Sequence, residues 1–137
     1  MIKRINFKLT VNLLLAIFSI LVIFHILVVV GVIPYDLVWG GRLGNAAQMR
    51  QFEIVSIIIN LLIMLVVAMR GGYIQSLLPR KLITVLIWIF VLLFSLNTVG
   101  NLLSKNLLES IIFTPLTLVI AVLCYRLTLE NPDIIKK

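Results

Sequence analysis

Apolar residues fill four long stretches of this chain, at residues 9–33, 46–69, 81–99 and 107–129, and polar residues gather in the short pieces between them. A helix needs roughly 20 residues to cross a hydrocarbon core about 30 Å thick, so each stretch predicts a transmembrane helix. β-Branched residues are common throughout, yet the runs are too long and unbroken for barrel strands, which alternate over about ten residues. The pattern predicts an all-α, polytopic membrane protein: one transmembrane domain over residues 1–137, folded as an up-down-up-down bundle of four helices. The first stretch does not read as a cleaved secretory signal. It outruns an h-region of about 7–15 residues, and Gly31-Val32-Ile33-Pro34 is a poor cleavage site.

Turn and cap residues punctuate the same pattern. Asn45, with Gln48 three residues later, forms a capping-box signal for the second helix, and Gly71-Gly72 supplies its C-terminal stop. Pro79 suits the first turn of the third helix, which is expected to end near Gly100. Asn106 and Glu109 repeat the box before the fourth helix. Within that helix Pro115 has no N–H for the carbonyl of Ile111, so a kink is expected there. The longest connection, the outer loop at residues 34–45, reads PYDLVWGGRLGN. Tyr35 and Trp39 suit the interfacial aromatic belt, and Asp36 and Arg42 are placed to pair as a latch on this loop, closing it as a lid over the bundle.

Composition fixes the solvent and the orientation. Apolar residues make up 62% of the 137 residues and charged residues only 12%, with mean hydropathy +1.21, against about 25% charged in a soluble domain. A soluble chain of this length cannot cover so much apolar surface, so the lipid bilayer is the expected partner. Lys3, Arg4, Lys8, Arg70, Arg80, Lys81, Arg126, Lys136 and Lys137 flank one side of the predicted spans, and Arg42, Arg50 and Lys105 flank the other. That bias predicts both termini in the cytoplasm. It also accounts for most of the net charge of +7 as a topology signal plus attraction to anionic lipid. No nucleic acid is expected as a partner, because no basic patch lies in a foldable soluble module.

Polar side chains are costly in hydrocarbon, so their depth carries the most functional information. His25 lies about 12 Å below the outer end of the first span at a rise of about 1.5 Å per residue. Glu53 and Asn60 stand two helical turns apart on one face, with Ser56 between them. Asn97 and Asn101 are one turn apart near the outer end of the third helix, and Thr114 and Thr117 flank Pro115. The opposite halves of the spans carry little beyond Asn12, Ser19 and Thr84. This asymmetry predicts an outward-facing polar pocket over an apolar floor, with His25, Glu53, Asn60, Asn97 and Asn101 as its ligand-binding residues. Plainer readings stand beside it. Asparagine and hydroxyl side chains serve as interhelical glue worth on average below about 1 kcal/mol each, and Glu53 is close enough to the interface to pair with Arg50 or Arg42.

Several chemistries are disfavoured. One His and one Cys build neither a structural zinc site nor a bis-histidine haem, so no metal and no cofactor is expected. Cys124 lacks a partner for an intrachain disulfide and reads as a small buried hydrophobe. There is no CxxC, no phosphate-cradling glycine loop, no repeated arginine of a voltage sensor, and no nucleophile elbow at Ser56 or His25. Small multidrug transporters carry a glutamate in the first helix, where this chain has His25. Fluoride channels carry a Phe–Thr–Phe–Ser stretch, and vitamin K reductase relatives paired cysteines; both are absent here. Sterol isomerase-like bundles set acids and a histidine in a polar pocket, and His25 with Glu53 shares those residue types without the spacing.

The stretches PYDLVWGGRL, RQFEIVSIIIN, LNTVGNLLSKN and FTPLTL, which fall within residues 33–126, resemble an uncharacterised family of small bacterial four-helix integral membrane proteins. The resemblance implies the bacterial cytoplasmic (inner) membrane and a compact bundle, and brings no activity with it. The functional expectation is a non-enzymatic protein that binds or transports a small ligand or ion in its polar pocket. The alternatives are a structural or accessory subunit and a small intramembrane enzyme acting on a lipid, with His25 and Glu53 as acid and base. A homodimer is compatible with each of them.

Overall fold

The computed structural model describes residues 2–35, 38–39, 44–104, 107 and 109–130. After a single 3-10 turn at Ile2–Arg4 come α1 (Phe7–Val29), α2 (Ala46–Gly71), α3 (Arg80–Leu102) and α4 (Thr114–Thr128), the last entered through a π-helical turn at Glu109–Phe113. Counting the π turn with α4, all four are long and apolar enough to cross a bilayer, and the described residues contain no strand. The chain is an all-α, four-helix, multi-pass membrane protein, as its apolar pattern predicts.

The helix ends show what the pattern missed. α1 is capped by Asn6, whose Oδ1 accepts from the N–H of Leu9 at 3.1 Å. It stops at Val29, four residues short of the predicted end. Gly31 takes φ 80°, and the N–H groups of Gly31 and Val32 turn back to the carbonyls of Val28 and Leu27 at 3.0 and 2.9 Å. This is a Schellman stop, which needs a left-handed residue just past the helix. Val32 and Ile33 are apolar but lie beyond it. At α2, Asn45 caps Gln48 at 2.8 Å, while the Gln48 side chain accepts from Gly44 at 3.0 Å, one residue before the expected partner. α3 begins directly after Pro79 and runs two residues past Gly100. Asn106, the expected cap of α4, lies outside the described residues. Pro115 does break the helical ladder: the wider π turn ends at Phe113, and regular α-helix restarts with Pro115 in its first turn, where a missing N–H costs nothing.

Contacts fix which ends meet. The Lys8 ammonium donates to Gly71 O at 3.1 Å, and Tyr73 donates to Asn12 Oδ1, so the start of α1 lies against the end of α2. Trp88 meets Tyr125 and Phe24 meets Phe113 in edge-to-face pairs 5.7 and 5.4 Å apart, which sets α4 antiparallel to both α3 and α1. α1 packs closely on α2, and α3 on α4, whereas α2 and α3 touch only sparsely. The core fills the half of the bundle near the termini, around Leu14, Phe18, Val67, Ile87, Ile120 and the buried thiol Cys124. Ser19, Ser56, Thr84 and Ser95 each donate to the carbonyl four residues earlier at 2.7–3.1 Å, whereas the Thr114 hydroxyl is buried without a partner among the described residues.

Gly71 marks the closest approach of α1 and α2. A Cβ there would sit 2.5 Å from Val11 Cγ1, and Val11 is fully buried and β-branched, hence stiff. Gly71→Ala is expected to destabilise the bundle by about 1–3 kcal/mol, the range for overpacking a tight core. Adding Val11→Ala should restore much of the loss. Unfolding titrations of the single and double variants check this; equal stability of Gly71→Ala and the parent would show that the helices separate at no cost.

Candidate functional site

The sparse α2–α3 contact leaves a cleft in the half of the bundle nearest the 34–45 loop. Its volume is about 320 Å³. Leu21, Ile63 and Phe94 join its lining to the core, giving it an apolar floor. Ile59 and Asn97 on its walls are exposed and Ser56 is half-exposed, so the cleft opens sideways between α2 and α3.

The chemistry of the cleft centres on one carboxylate. Glu53, on the second turn of α2, has no accessible surface although it stands in the cavity wall. Its Oε2 lies 2.6 Å from His25 Nδ1 on α1, and its Oε1 accepts from the Trp39 indole N–H at 2.7 Å. A carboxylate with no exposure must find donors inside the fold, and these two engage one oxygen each. Glu53 forms no ion pair with Arg50 among the described residues; Arg42, the other partner of the plainer sequence reading, lies outside them. With Glu53 accepting from the imidazole, His25 keeps its hydrogen on Nδ1, and Nε2 is the ring nitrogen left for another partner. Both Glu53 oxygens are thus engaged, one by His25 and one by Trp39.

Trp39 is the residue that sequence reasoning assigned to the membrane interface alone. It sits at φ 56°, a conformation that costs a bulky residue about 1–3 kcal/mol. The indole bond to Glu53 and a tilted ring contact with Phe52 at 5.0 Å offset that strain. Val38 beside it is buried against Val28 and Met49, so this part of the loop is packed onto the bundle. The Asp36–Arg42 latch lies outside the described residues.

The asparagines are placed unequally. Asn60 is buried in the cleft wall and donates to the carbonyl of Ser56 at 2.8 Å, which leaves its amide oxygen without a partner among the described residues. Asn97 lines the cleft, is exposed, and makes no hydrogen bond to the described residues. Asn101 approaches Thr117 Oγ1 at 3.4 Å, too long for a strong bond. Thr117 donates to Phe113 O at 2.7 Å and accepts from Thr98 at 3.0 Å. This pairing of α3 with α4 is glue of the expected kind, with Thr98 as a member the sequence did not single out. All five residues marked from the sequence border the same cavity.

Comparison of the chain with protein families, with curated proteins and with solved structures finds no match. The reading of the site therefore rests on its own geometry. Among the described residues no three His, Cys, Asp or Glu side chains gather as a metal site would require. The arrangement offers a ring nitrogen of fixed tautomer, an amide oxygen and a free carboxamide, above an apolar floor. Chemically, such a set could hydrogen-bond a polar group carrying its own donors and acceptors.

Proposed function

We propose that this chain is a binding protein of the bacterial cytoplasmic membrane, with both termini in the cytoplasm, that takes up a small polar or amphiphilic ligand in the cleft between α2 and α3 without chemically changing it. The observation that supports this most is the Trp39–Glu53–His25 chain of hydrogen bonds. Burying a carboxylate within a membrane span is expensive, and here it orients one imidazole at a cavity wall. The Lys and Arg bias supports the orientation, which puts the 34–45 loop on the outer side and the cleft in the outer half of the bundle.

One observation favours a second reading. Asn97 presents a carboxamide with no hydrogen bond to the described residues on an exposed surface of a membrane helix, and a neighbouring helix from an accessory partner or a second copy would satisfy it.

Native mass spectrometry of the protein released from mild detergent tests both. A discrete adduct on the monomer is expected for the parent chain and for Thr84→Val, whose position is remote from the cleft. His25→Phe, which keeps the ring and loses the nitrogens, should lose it. A bare parent monomer, or an adduct indifferent to His25→Phe, defeats the binding proposal. A stoichiometric dimer or a second protein that dissociates on Asn97→Leu would establish the assembly reading instead.

A further inference from the structure

A second cavity lies behind the first. It is a groove of about 330 Å³ between α1 and α4, and Ile20, Ile33, Ile112 and Leu116 line its far side. Leu21, Phe24, Val38 and Phe113 belong to both cavities, so a single layer of side chains divides them. The divider at its middle is the edge-to-face pair of Phe24 and Phe113, 5.4 Å between centroids. Phe24 also precedes His25 in sequence and contacts its ring edge-on at 5.7 Å. Every residue lining the groove is hydrocarbon, so the groove has nothing to offer a polar solute. Ile112 and Phe113 enter it from the π turn, and π turns widen a helix locally, frequently at functional sites.

Two adjoining cavities, one with all the polar groups and one with none, match the two ends of an amphiphile. We infer that the groove between α1 and α4 seats the hydrocarbon chain of the same molecule whose polar group meets His25, so the ligand is a single-chain lipid rather than an ion or a small polar solute. This rests on the binding role proposed above for the cleft and names its substrate class. The chain passes the divider by rotation of the Phe24 and Phe113 rings. The polar group stops at Nε2 of His25 and the amide of Asn60, and Val38 and Trp39 cover it from the loop. Bilayer tails entering the groove on their own would fill it without regard to His25. That difference makes the inference testable.

The probe is a monoacylglycerol with a photoreactive diazirine at the end of its chain, added to the full-length protein in phosphatidylcholine vesicles. Cross-links are expected on α1 and α4 at Ile20, Ile112 or Leu116. An unlabelled long-chain monoacylglycerol should compete them away and a short-chain homologue should not. His25→Phe should reduce their yield at least tenfold. Leu116→Trp, which fills the groove, should abolish them while Leu118→Trp, on the exposed face of α4, leaves them intact. The chain-length series on the unaltered protein stands even where a tryptophan variant fails to fold. Groove cross-links indifferent to His25→Phe would show bilayer tails alone and overturn the inference, as would cross-links absent from the groove. A His25-dependent adduct in native mass spectrometry with no cross-link in the groove would leave the cleft reading standing and remove only the groove. Loss of both signals would remove the two together.

Discussion

Replacing Glu53 by glutamine will leave the four helices folded and move the ring hydrogen of His25 from Nδ1 to Nε2. The indole of Trp39 can only donate, so the amide oxygen of a glutamine takes the Trp39 bond now made to Oε1. The amide nitrogen then faces Nδ1 across the present 2.6 Å contact. Nδ1 must accept, and the imidazole hydrogen goes to Nε2. The shape of the cleft is unchanged while its central group turns from acceptor to donor, so a ligand held by donating to Nε2 is lost. The chain has one histidine, and nitrogen NMR of histidine-labelled protein reads its tautomer without assignment. Glu53→Ala goes further. It strips the acceptor from two N–H groups and opens a void, and each buried donor left unsatisfied costs about 1–3 kcal/mol. Folding stability measured for both variants separates the two roles: near-parent stability for glutamine, and the large loss for alanine. An unchanged tautomer in Glu53→Gln would mean that the carboxylate does not set the state of His25.

The parts of this molecule legible in its sequence are those governed by length and period. Four spans, the caps at Asn45 and Gly72 and the break at Pro115 follow from rules about one segment at a time. His25 and Glu53 were marked because charge at that depth is expensive, and the expense requires a partner. Which partner was not legible. The nearest arginine in sequence, Arg50, looked sufficient, whereas the fold turns Glu53 inward onto a ring 28 positions away in the chain. Trp39 was hidden more deeply, because aromatic residues at a membrane edge are common and only the fold shows that this indole reaches Glu53. Its one sequence cue is the pair of glycines that follows it, residues common in turns. The end of α1 was misplaced for a simpler reason. Hydropathy does not distinguish apolar residues in a helix from apolar residues in the turn after it, and Gly31 before Pro34 was the better guide.

Arg70→Met and Arg126→Met will each loosen the end of α4 without disturbing the His25 cleft, and Arg70→Lys will rescue part of the first. Both arginines entered the sequence reading as signals of orientation. In the fold they are buried. The Arg70 guanidinium donates to the carbonyls of Leu127 and Glu130 at 2.9 and 2.7 Å, closing the C-terminal turn of α4, whose last carbonyls have no partner within the helix. Arg126 donates to Ile5 O at 2.8 Å and to the Glu130 carboxylate at 2.7 Å, tying the first residues of the chain to the last turn of the bundle. Hydrogen bonds from a charged donor contribute about 1.5–3 kcal/mol each, so losing either arginine should cost several kcal/mol. Both carbonyl bonds leave one nitrogen, Nη2, while Nε is buried without a partner, so the three donors of a lysine ammonium should recover part of the loss. Amide exchange checks the location of the effect. Protection should fall over Tyr125–Thr128 for both variants, and over the start of α1 for Arg126→Met alone, while amides around Glu53 keep theirs. Uniform loss of protection along all four helices would show that the clamp and the cleft unfold as one unit. The two ends of the bundle would then not be separable by mutation, and a residue at the termini could change ligand binding without touching the site.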